Sequence, residues 1–129
     1  MLNNKKLLIK VLTSLARPFG EDVSNAITFN SGWTGIIKKA YRFGSIVFYQ
    51  LEATATYIAH HDYVLANIAS GYRPEAFYFG AGYTTDSAYN PKALASVRTN
   101  TNGNINVVMA DEYGAYIFAF GFYKMGGGN

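Results

Sequence analysis

The chain of 129 residues contains no cysteine, which excludes disulfides, thiolate metal sites and thiol nucleophiles at the outset. Charge is also scarce. Only 15% of residues are Asp, Glu, Lys or Arg, whereas half are hydrophobic, a balance incompatible with a disordered chain. Two histidines leave little material for metal or acid–base centres, and three prolines leave the backbone free to pair. No apolar run is long enough to span a bilayer as a helix. What is abundant favours strands and turns: eleven Tyr, nine Phe and thirteen Gly in a length that suits one domain.

The formal charge of +3 lies at one end. Residues 1–20 carry Lys5, Lys6, Lys10 and Arg17 and no acid, while residues 21–129 carry seven bases and eight acids. A body balanced in this way lacks the clustered cations that phosphate neutralisation needs, so nucleic acid is not an expected partner. A basic Met1–Lys6, an apolar stretch to Leu15 and the Ser14-Leu15-Ala16 triplet have the outline of a signal peptide, but Lys10 interrupts the apolar run.

Asn3 or Asn4 as a cap, with Leu8, Leu12, Leu15 and Phe19 recurring on one side, predicts a short amphipathic helix ended by Pro18 and Gly20. Residues 1–20 are therefore read as an oligomerisation or attachment helix, with no membrane insertion, and residues 21–129 as an all-β domain. Period-two alternation and turn residues predict strands at Ala26–Phe29, Ile36–Phe43, Ile46–Ile58, Tyr63–Ala69, Ala76–Tyr83, Ala93–Thr99, Ile105–Met109 and Ala115–Tyr123. In the long strand Val47, Tyr49, Leu51, Ala53, Ala55 and Tyr57 share one face, and Gln50, Glu52, Thr54 and Thr56 the other, expected to be wet. Asn102-Gly103 between alternating runs is a strong hairpin signal. About 7–8 antiparallel strands with no helical pattern between them predict a β-sandwich or jelly roll. In the last strand Phe118, Phe120 and Phe122 occupy one face and Ile117, Ala119 and Tyr123 the other, so both faces are apolar. A strand dry on both sides points to coverage by a second subunit.

Chemistry-bearing clusters are few. His60-His61-Asp62 has metal-ligating residue types but no third histidine, and adjacent strand residues point apart, so no metal site is expected. There is no nucleophile elbow, phosphate loop, dinucleotide fingerprint or calcium loop, and no carboxylate pair stands out. The chain is read as a non-enzyme with no cofactor and no catalytic residues. The loop from Gly82 to Pro91 places Tyr83, Asp86, Tyr89 and Asn90 together, flat rings for sugar faces and polar groups for hydroxyls, which makes these four the candidate ligand-binding residues.

Gly71-Tyr72-Arg73-Pro74 combines a residue free to take positive φ with a proline that fixes its own φ and restricts Arg73. The run Ile68-Ala69-Ser70-Gly71-Tyr72-Arg73-Pro74 resembles the Leu-Pro-Ala-Gly-Tyr-Arg-Pro signature in the C-terminal domains of tail-fibre, baseplate and minor structural proteins from phages and prophages of Gram-positive bacteria. Trp33 and Gly35 upstream, the Ala40-Tyr41-Arg42-Phe43 strand, the Asn-Gly hairpin and the aromatic last strand follow in similar order, so the likeness covers roughly Trp33 to Tyr123. Ala69 replaces the family's proline. The resemblance implies a trimeric β-sandwich in the virion tail or baseplate, made in the host cytoplasm, with other tail proteins or host cell-wall polysaccharide as partners. Leu8, Leu12, Leu15, Phe118, Phe120 and Phe122 are then the expected oligomer interface. A secreted or cell-surface lectin-like sandwich with no viral role is the competing expectation.

Overall fold

A computed structural model of the chain describes residues 4–6, 8, 20–54, 60–110 and 114–127. Nine strands form one antiparallel sheet: β1 (Glu21–Asp22), β2 (Ile27–Phe29), β3 (Thr34–Phe43), β4 (Ile46–Thr54), β5 (Asp62–Ile68), β6 (Tyr78–Thr85), β7 (Pro91–Thr99), β8 (Asn104–Met109) and β9 (Tyr116–Lys124). Their spatial order is β1-β3-β4-β9-β6-β7-β8-β5-β2.

The all-β, antiparallel expectation holds, and each of the eight predicted strands has its counterpart. The expected jelly roll is replaced by a single sheet curled into a half-barrel, because one short segment serves both of its ends. β1 and β2 are separated only by a 3-10 turn at Ser24–Ala26, yet β1 pairs with β3 at one edge and β2 with β5 at the other. Val23 donates its N–H to the Ala40 carbonyl on the β3 side, and Ala69 donates to the Ala26 carbonyl on the β5 side. The ring of Phe29 lies against Gly35, so the two edges approach each other. Extra residues in β3, β5 and β7 shift the register and supply the local bends that curling requires.

Curling encloses one core. Val47, Leu51, Ala53, Ile117, Ala119, Val97, Ile105, Val107, Met109, Leu65 and Ile68 are all buried in it. Tyr49 from β4 reaches across Gly121, where an added Cβ would stand 2.8 Å from the Tyr49 oxygen, and shares a 2.7 Å hydrogen bond with Thr99 Oγ1. Burial pushes the Tyr49 phenol up to about 12, against the opposing pull of that hydrogen bond.

The Gly71–Pro74 corner is built as its residue types require. Gly71 has φ +96°, and the Tyr72 N–H donates to the Ala69 carbonyl at 3.1 Å. Tyr72 packs on the core and its carbonyl accepts from Tyr123 Oη at 2.7 Å; Arg73 Nε donates to the Ile68 carbonyl at 2.9 Å. Pro74 is buried and bridges to Met125. The Asn102-Gly103 hairpin is also present, with φ +93° at Gly103.

Of the expected N-terminal helix, residues 4–6 and 8 are described and helical, and Leu8 is exposed; Leu12 and Leu15 lie outside the described residues. Ala55, Thr56 and Tyr57 of the expected long strand also lie outside them.

Candidate ligand-binding loop and aromatic outer face

The β6–β7 loop is held by one carboxylate. Asp86 Oδ1 accepts from the backbone N–H groups of Ala88 and Asn90, both at 2.9 Å, and Oδ2 accepts from Asn90 Nδ2 at 3.0 Å. Lys92 Nζ stands 4.0 Å from Oδ2. These donors, led by the Asn90 side chain, hold the Asp86 carboxyl below its ordinary range. Of the four predicted ligand residues, Asp86 and Asn90 are thus engaged with each other and shape the turn. Their hydrogen-bonding capacity goes inward, the ordinary fate of Asx side chains in tight loops.

The turn forces Tyr89 to φ +67°, a conformation costly for a residue with a Cβ. Its ring stacks on Tyr116 at 5.0 Å with a 12° interplanar angle and lies 6.2 Å from Phe118. From β6, Tyr83 stacks on Phe118 at 4.8 Å and 13°. The structure therefore brings Tyr83 and Tyr89 together around Phe118, and adds Tyr116.

Glu52 completes this cluster. It stands opposite Phe118 in the β4–β9 register, and Phe118 in turn stands opposite Tyr83 in the β6–β9 register. The face of β4 that it occupies was expected to be wet, yet Glu52 is only 3% exposed and its Oε2 has no hydrogen-bond partner. The aromatic residues of β9 and β6 cover this end of that face, which overturns the expectation for Glu52; Gln50 on the same face remains exposed. The Glu52 charge is the main cause that raises the Tyr89 phenol above its ordinary value, followed by desolvation and by Tyr116. Sequence reasoning missed Glu52 because its surroundings depend on which strand lies beside β4.

A second aromatic row crosses the same outer face. Phe43, Phe48 and Phe122 follow one another at centroid separations of 6.0 and 5.8 Å across β3, β4 and β9. Phe43, Phe48, Phe77, Phe79, Phe120 and Phe122 are each 40–74% exposed. That is six of the nine phenylalanines, a residue type ordinarily found inside. Tyr41, Phe48 and Phe120 line a groove on this face together with Lys39 and Gln50. Of the three predicted interface residues on β9, Phe120 and Phe122 are exposed and Phe118 is half-buried in the ring cluster.

His60-His61-Asp62 assembles differently from a metal centre. Asp62 begins β5, where its carboxylate accepts from Arg98 and from Asn106 Nδ2, the latter at 2.8 Å. Among the described residues no three His, Asp or Glu side chains converge. No helix among them is long and apolar enough to cross a membrane. No family model, curated protein or solved structure matches the chain.

Proposed function

We propose that this chain is a non-enzymatic assembly and recognition module of a phage tail or baseplate, working as a homotrimer within the virion. The single observation that carries the reading is the outer face of β3, β4, β9 and β6, where phenylalanines stand in solvent while aliphatic residues fill the interior. Contiguous exposed apolar surface of this kind marks an association site. Phe120 and Phe122, with Phe48 opposite Phe122, form the centre of the trimer contact. The N-terminal segment with Leu8, Leu12 and Leu15 attaches the trimer to other tail proteins. At the other end of the aromatic face, the Tyr83–Tyr89 loop meets host cell-wall carbohydrate, since stacked, partly exposed tyrosines present flat apolar surfaces with polar tips.

Chemical cross-linking of the purified chain together with co-sedimentation on Gram-positive cell walls tests both halves. The expected result is a ladder ending at three chains, and wall binding that Tyr89→Ala weakens without changing the ladder. A chain that cross-links only to itself at random, or that ignores every wall preparation, would contradict the reading.

A further inference from the structure

The cluster around Glu52 has a feature that ordinary packing does not explain. A carboxylate is seldom left buried with an open acceptor, because desolvation is then uncompensated by a hydrogen bond. Here Glu52 is 3% exposed, its Oε2 lacks a partner, and its cross-strand neighbours are Phe118 on β9 and Ile37 on β3. Beside it stand two stacked pairs, Tyr83–Phe118 and Tyr89–Tyr116, joined where Tyr89 approaches Phe118. Electron-rich ring faces and an unused carboxylate oxygen are both complementary to one kind of group, a cation that carries N–H donors.

We propose that Glu52, Tyr83, Tyr89, Tyr116 and Phe118 form a binding site for the protonated amine of an amino sugar, with Tyr89 as its movable cover. The inference deepens the carbohydrate-facing role proposed for this loop and rests on it. The ammonium group donates to Glu52 Oε2, and the sugar ring lies against the tyrosines. Tyr89 is the ring that moves, being the most exposed of the four at 55% and the one held at an unfavourable positive φ. Neither a sugar hydroxyl nor an acetylated amine would bring a positive charge to the carboxyl group.

The test is a titration of the full chain at about pH 6, where sugar amines are protonated, with a β-1,4-linked glucosamine tetramer, its fully N-acetylated counterpart and trilysine. Heat of binding and backbone amide NMR shifts at Glu52, Tyr89 and Phe118 are the readouts. The glucosamine tetramer is expected to bind at least about tenfold more tightly than the acetylated one, and Glu52→Gln is expected to remove that advantage. Should Glu52→Gln fail to fold, Tyr89→Gly accommodates φ +67° without strain and is expected to weaken the glucosamine tetramer about fivefold. Equal binding of the two tetramers to wild type would overturn the ammonium site while leaving the sugar-facing role intact. Binding of neither would overturn both, and tighter binding of trilysine than of the glucosamine tetramer would overturn the sugar as carrier.

Discussion

Both faces of β9 are apolar, and β4 beside it adds Phe48 to the outer one among polar Gln50 and Glu52, yet the inner and outer sides have opposite fates. Val47, Tyr49, Leu51, Ile117, Ala119 and Tyr123 point inward and are buried by their own chain, whereas Phe48, Phe120 and Phe122 point outward and stay 40–52% exposed. Alternation along a strand sets which residues share a face, but it does not determine which face finds a partner in the same chain. Curling decides that here. A half-barrel closes around its concave side and leaves the convex side to whatever lies outside it. Residue choice follows the division: aliphatic chains and two tyrosines fill the closed side, and phenylalanines line the open one.

The largest effect that separates the faces is expected from truncation inside. Leu51→Ala should lower the free energy of unfolding by about 3 kcal/mol, measured by urea denaturation, because a fully buried leucine leaves a cavity. Next comes the polar contact within the core. Tyr49→Phe leaves the buried Thr99 hydroxyl without its partner and should cost about 1–2 kcal/mol in the same assay.

An alkaline titration sharpens the contrast without mutation. The folded-state value of Tyr49 is raised above its ordinary 10 to about 12, so its contribution to stability is complete below pH 10 and is lost as the pH rises toward 12. Monitored by tyrosinate absorbance, Tyr49 should ionise only as the fold gives way. Smallest of all is the expected effect outside. In dilute solution Phe122→Ala should change the unfolding free energy by less than about 0.5 kcal/mol, since its side chain is half exposed. A loss as large as that of Leu51→Ala would erase the distinction between the faces.

Much of the fold was legible because strands and hairpins are local. Asn102-Gly103 and the inward row from Val47 to Ala53 lie where alternation and turn chemistry put them. The Gly71–Pro74 corner was legible for the same reason. Strand order is not local, and two misreadings follow from it. The sandwich expectation had no means of knowing that Glu21–Phe29 would serve both edges of one sheet. Glu52 looked solvated because its neighbours on the face, Gln50 and Thr54, are polar, whereas its environment is set by Phe118 across the strand gap. In the loop, Tyr83 and Tyr89 both come to Phe118, which the sequence placed elsewhere, and Asp86 and Asn90 satisfy each other, a competition that residue types alone do not resolve.

Sedimentation equilibrium at the highest soluble concentration, run on the wild-type chain and on a Phe48→Ser/Phe122→Ser variant, tests most directly whether the open face is an interface. The expected masses are three chains for the wild type and one for the variant, with the circular dichroism of the two indistinguishable. A wild-type mass of one chain, or a variant that remains trimeric, would contradict the assignment of the outer aromatic face to self-association.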